Sequence, residues 1–197
     1  AIGYKALCCN TTGGCNIGIG DSALRENKTG QCNIAIGADA GKVTTSTGSV
    51  LIGHQAGVAQ TTAVNTAVGH QALATTTDGG ENVAVGTQAL LYNDGGYQNT
   101  AVGNSALAAN TDGLRNTAVG CGAAYSNTTG DNNVAIGCKA GYSNQTSNAI
   151  VAVGTDALYN NLAAENVAVG TCAANANTTG TRNTALGHKA MCSNTIG

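Results

Sequence analysis

One short pattern, a small residue and an aliphatic residue followed by glycine, returns along the whole chain every 16 or 17 residues. Its closing glycines are Gly3, Gly20, Gly37, Gly53, Gly69, Gly86, Gly103, Gly120, Gly137, Gly154, Gly170 and Gly187. A fixed period of this kind marks a repeat architecture, in which each unit buries its apolar side chains against its neighbours. Helical repeats need about 33 or more residues per unit, and no heptad supports a coiled coil. Twelve units occupy the 197 residues without leaving room for a linker. The expectation is one repeat domain over residues 1–197. The opening Ala-Ile-Gly, with no initiator Met, reads as a piece from inside a longer fibrous protein.

The columns of the repeat carry the local chemistry. The residue before each closing glycine is aliphatic, from Ile2 and Ile19 through Val68, Val85 and Val102 to Leu186. Two positions earlier stands Val, Ile or Thr, and the residue between is nearly always Ala. β-Branched residues alternating with small ones favour a strand, in which residues two apart share a face. Ala follows each closing glycine three residues on, and then usually Leu or Gly. Further on, Asn and Gly mark a turn, as in Asn-Thr-Thr-Gly, because both tolerate left-handed backbone. The turn glycines are Gly13, Gly30, Gly79, Gly96, Gly113, Gly130, Gly180 and Gly197.

A strand, a turn, a second short strand and a second turn fit such a unit. The predicted fold is all-β, a parallel β-solenoid or β-roll of about twelve rungs. At roughly 4.8 Å per rung the rod is on the order of 55–60 Å long. The asparagines four residues before the closing glycines are Asn16, Asn33, Asn65, Asn82, Asn99, Asn116, Asn133, Asn166 and Asn183. They are expected to stack into a ladder whose amides bond from rung to rung and satisfy turn backbone. Rungs beginning at Gly37, Gly53 and Gly137 carry Gly41, Gly57 and Gly141 where others have Leu, and lack the later turn glycine. A second turn geometry is expected there.

Each rung then offers about three large apolar side chains: the Val/Ile pair and the Leu, placed at the centre of the roll. The other strand face, of Asn, Ala and Gly, forms a flat strip that a neighbouring backbone can approach. Aromatic residues make up 3% of the chain, so a single roll has a thin core. A homotrimer about the rod axis is expected.

Units such as NTAVGHQALATTTDGGENVAVGTQAL and NTAVGCGAAYSNTTGDNNVAIGCKAGYSN resemble the Asn-Thr-Ala-Ile-Gly repeats of phage tail fibres. They are similar also to the head repeats of trimeric autotransporter adhesins. The adhesin repeat is shorter, so extra residues here lengthen a turn. The resemblance implies a trimeric left-handed parallel β-roll, acting as a rigid fibre shaft that presents a receptor-binding region. In an adhesin the same roll would mediate attachment. The implied partners are further copies of the chain and a cell-surface receptor or glycan, on a virion tail fibre or a cell surface. A third reading is an ice-binding solenoid, weakened because Thr66, Val83, Thr100, Thr117 and Val134 alternate as an interior column would.

Composition excludes other classes. Charged residues are 9% of the chain and the formal net charge is −2, so neither nucleic acid nor an anionic membrane has an electrostatic footprint to meet. No apolar run approaches the ~20 residues of a membrane helix. No catalytic constellation emerges, no glycine loop precedes a helix to cradle phosphate, and no cofactor is expected.

Eight cysteines are the remaining chemistry. Cys15 and Cys32 share one column on neighbouring rungs, as do Cys121 and Cys138, and are candidate disulfides. The alternative is that they stay reduced in Ser- or Ala-like slots. No Cys-x-x-Cys occurs, and Cys8–Cys9 is too cramped for a four-ligand zinc set. His54, His70 and His188 follow closing glycines, a column shared with polar residues that points to solvent rather than to metal. Sequons begin at Asn10, Asn27, Asn127, Asn144 and Asn177, at the turn edge, where glycan attachment competes with a plain turn role.

Overall fold

A computed structural model describes residues 1–61 and 63–196. The sequence-predicted turn glycine Gly197 lies outside the described residues. The architecture is a parallel β-solenoid. Eleven strands, one per rung, form a single sheet in sequence order: β1 (Ile17–Ile19), β2 (Ile34–Ile36), β3 (Val50–Ile52), β4 (Asn65–Val68), β5 (Asn82–Val85), β6 (Thr100–Val102), β7 (Thr117–Val119), β8 (Val134–Ile136), β9 (Val151–Val153), β10 (Val167–Val169) and β11 (Thr184–Leu186). An isolated parallel bridge, Ile2 to Ile19, extends the stack to the first repeat. Register holds the columns together, so Val68 pairs with Val85 and Val85 with Val102.

The second strand per rung does not form. After each closing glycine the chain runs through consecutive turns, with left-handed residues at alternate positions such as Ser22 (φ 56°) and Leu24 (φ 51°). Such backbone cannot pleat. It still bonds between rungs: Ser22 N–H donates to Tyr4 O at 2.8 Å, and Leu24 N–H to Ala40 O at 3.0 Å. The closing glycines themselves have φ near 130°, and each packs directly on the next. A Cβ on Gly86 would stand 2.5 Å from Gly103 O, so no side chain fits this column.

The expected division between inside and outside is reversed. The middle residue of each strand is buried, including Ala67, Ala84 and Ala101, each 0% exposed, while the flanking Val and Ile face outward. Val85 is 36% exposed and Ile17 45%. The interior is narrow. The alanine row of the strands faces the Ala and Leu of the turns across the roll, with Leu24, Leu73, Leu90, Leu107 and Leu158 fully buried. One row of leucines fills that gap, leaving no space for two further rows of β-branched side chains.

The later turn does differ in the rung beginning at Gly37, where Gly48 (φ 89°) replaces the left-handed residue that Cys32 (φ 55°) supplies one rung earlier, but the backbone at the missing leucines is unchanged. Gly41, Gly57 and Gly141 have φ of 55°, 56° and 59°, close to the 50–53° of the leucines they replace. The lost volume returns from the opposite wall: Leu51 stands where other strands have Ala, against Gly41 and Gly57, and Ile150 stands against Gly141. What changes is the polar interior. In the rungs beginning at Gly37 and Gly53, hydroxyls of Thr44, Ser46 and Ser49 join Gln60 in a buried cluster, with Gln60 Nε2 donating to Ser49 Oγ at 2.7 Å and to Ala63 O at 2.6 Å.

Candidate functional site

Two polar ladders line the inside of the turn and hold the outer strand face rigid. In the first, each asparagine before a strand spans to the next rung with both ends of its amide. Asn116 N–H donates to Asn99 Oδ1 at 2.9 Å, and Asn99 Nδ2 donates to Gly113 O at 2.8 Å. The same pair of bonds recurs from Asn16, Asn33, Asn65, Asn82, Asn116, Asn133 and Asn166. From Asn33 and Asn133 it reaches Ser49 and Ile150, which stand in the column in place of Asn. Asn183 N–H donates to Asn166 Oδ1 at 2.9 Å, and its own Nδ2 has no partner. Each strand-entry N–H that faces an asparagine of the preceding rung is thereby satisfied, as burial requires.

The second ladder was legible in the sequence only as a turn signal. Asn27, Asn93, Asn110, Asn127, Asn144, Asn161 and Asn177 are buried, each seven residues after its closing glycine. Asn110 Nδ2 donates to Asn93 Oδ1 at 2.7 Å and to Gly113 O at 3.1 Å, and Asn127 Nδ2 to Asn110 Oδ1 at 2.8 Å. All five sequon asparagines belong to this ladder, Asn10 at its half-buried end, where it accepts from Asn27 Nδ2 at 3.2 Å and donates to Gly13 O at 2.8 Å. The turn edge is therefore not open to a glycan at these residues: the nitrogen a sugar would join is enclosed and already donating.

Outside the ladders lies a flat, uncharged surface. Its two columns are the outward residues of β1 to β11, all Val, Ile, Thr or Leu, and none of the other described residues covers them. Thr66, Thr100 and Thr117 are half-exposed within it, not interior as their alternation with Val suggested. The charged side chains keep to the turns, where Lys42 pairs with Asp39 at 3.1 Å and Arg182 with Glu165 at 2.7 Å.

Beside this surface other side chains repeat in register. The His54 and His70 rings stack with centroids 5.3 Å apart at 8°, while His188 lies on a distant rung. Tyr125, Tyr142 and Tyr159 stack likewise at 5.2 and 5.1 Å. Among the described residues no three His, Cys, Asp or Glu side chains converge as metal ligands. All eight cysteines are free thiols. Cys15 and Cys32 sit on consecutive rungs joined by Cys32 N–H to Gly14 O at 3.0 Å, and Cys121 and Cys138 on rungs joined by Lys139 N–H to Cys121 O at 2.9 Å. Comparison with family models, curated proteins and solved structures finds no match for the chain.

Proposed function

We propose that the chain is a rigid shaft segment of a fibre whose copies associate, as a homotrimer, through the outward Val/Ile/Thr face. The observation that carries this reading is that face: eleven in-register strands presenting two uncharged, mostly β-branched columns. At about 4.8 Å per strand and about 10 Å across, it covers about 500 Å². That is near the upper end of what a monomer leaves in water, and such patches mark interfaces. Stiffness has its own source. Each rung is tied to the next by strand, ladder and turn hydrogen bonds, so bending the rod strains many bonds together. The turns opposite the face vary in sequence and are free to carry receptor or glycan contacts.

The test is the mass of the purified chain in solution, measured with and without reductant. Three copies per particle in both conditions support the fibre reading; a monomer in both defeats it. Cys15–Cys32 and Cys121–Cys138 staple rungs within one chain if oxidised, so a mass that falls only in reductant assigns the association to disulfides between chains instead. The outward placement of Thr66, Thr100 and Thr117 favours one second reading, ice binding, because a flat face with regularly spaced hydroxyls can order water. Thermal hysteresis from a monomer would select it, and a trimer without hysteresis would exclude it.

A further inference from the structure

We infer that Cys8 and Cys9 form a two-sulfur chelate for a thiophilic centre, either a trivalent arsenical or a soft d10 cation. In a strand, consecutive side chains leave on opposite faces. Here both residues lie in the turn segment just after Leu7, whose φ is 53°, and both side chains emerge into solvent with Sγ atoms 3.6 Å apart. That spacing suits a shared ligand. Two thiolates bound to one tetrahedral ion at about 2.3 Å have sulfurs about 3.8 Å apart, so the pair needs almost no movement to bind. The affinity cost of organising the site is correspondingly small.

The surroundings fit the same chemistry. Cys9 lines an open cleft of about 460 Å³ with Arg25, Glu26, Lys28, Val43 and Thr45. The Val43 side chain offers an apolar wall to an organic substituent on arsenic. Cys8 Sγ also lies 3.8 Å from Arg25 O, at the edge of the same turn segment. The hydrogen bond to the Cys9 sulfur holds the Cys8 thiol above its ordinary pKa. Binding of a divalent cation therefore releases protons and strengthens as pH rises. Since no third protein ligand converges among the described residues, the centre must accept two sulfurs and complete its shell from outside. Phenylarsine oxide does so in a balanced step: two S–H bonds break, two As–S bonds form, and the oxide oxygen leaves as water with both protons. Nothing is oxidised or reduced.

Phenylarsine oxide and Cd²⁺ are titrated separately into the full chain and into a variant with Cys15, Cys32, Cys121, Cys138, Cys172 and Cys192 changed to Ser. Binding is followed by intact mass and by loss of titratable thiol. One adduct per chain, mapped to the peptide holding Cys8 and Cys9 and consuming two thiols, is the expected result for either probe. The probe that binds identifies the class. Cys8→Ser or Cys9→Ser in the six-serine background is expected to weaken binding about 100-fold, the loss of the second, effectively intramolecular contact. Single variants that bind as tightly as their parent, or a full chain whose first adduct maps to other cysteines, overturn the assignment.

Discussion

Leu51 occupies the space that a side chain at residue 57 would need: its Cδ2 lies 2.6 Å from where a Cβ on Gly57 would stand. Elsewhere the arrangement is inverted, with Ala67 or Ala84 on the strand and Leu73 or Leu90 in the turn. In these layers the leucine comes from one wall or the other. Gly57→Leu alone overfills the layer and should cost about 1–3 kcal/mol. Leu51→Ala alone leaves a cavity and should cost about 2–5 kcal/mol. The backbone at Gly57 already has the left-handed φ of the leucine column. The double variant should therefore recover most of either loss. Urea melts of the four proteins give the coupling, and additive losses would contradict the shared-layer account.

The Asn99 side chain satisfies two buried backbone groups in the next rung, Asn116 N–H and Gly113 O. Asn99→Ala strands the Asn116 N–H, while Gly113 O keeps its bond from Asn110 Nδ2, so a loss of about 1–3 kcal/mol is expected. Asn104, exposed in the column after a closing glycine, should change stability by less than about 0.5 kcal/mol on the same substitution. Native-state hydrogen exchange adds a local readout. The amide of Asn116 should lose protection in Asn99→Ala while amides several rungs away keep theirs.

These relationships explain what could be read from the sequence and what could not. The period fixed the parallel stack because residues 16 or 17 apart must share an environment, and β1 to β11 fall on the repeated strand motif. The direction of the strand faces was not legible from hydrophobicity. Alternation says that Val83 and Val85 share a face and that Asn82 and Ala84 share the other. It does not say which is inside. Ordinary transfer energies send the valines inward. Here the lumen admits small residues and at most one leucine per layer, and the asparagine amides bond from rung to rung there, which offsets the cost of burying them. The exchange of Leu between residue 51 and residues 41 and 57 was the signal in the sequence, since residues that trade volume must touch. The second ladder was hidden for a different reason: Asn127 and Asn144 lie in sequons and beside glycines, where an exposed turn explains them equally well.

Glycines divide by what surrounds them. At Gly86 a Cβ would lie 2.5 Å from Gly103 O, with φ at 133°. Gly86→Ala must push two rungs apart, and a loss of more than about 3 kcal/mol, or failure to fold, is expected. Gly14 has no heavy atom within 4 Å of its Cβ position and no left-handed φ. Gly14→Ala should raise stability by about 0.4–1 kcal/mol by restricting the unfolded chain. Thermal melts of the pair test whether close stacking, and not glycine content as such, holds the rungs.

The outward face separates folding from association. Val102 sits in the middle of the sheet on β6, 36% exposed, between Val85 and Val119. A lysine at this position keeps its charge in water when the chain is alone and buries it when copies pack face to face. Val102→Lys should therefore alter the melting of the isolated chain by the equivalent of about 0.5–1 kcal/mol, since cross-strand packing with Val85 and Val119 is lost. Its effect on association should be far larger, because an unpaired charge enters three equivalent places in a trimer. Sedimentation across a concentration series reads this as a shift from trimer to monomer. Lys139→Glu, a charge change on the turn side of the rod, should leave the mass unchanged. A trimer that persists in Val102→Lys would place the contact elsewhere on the rod and remove the function from this face.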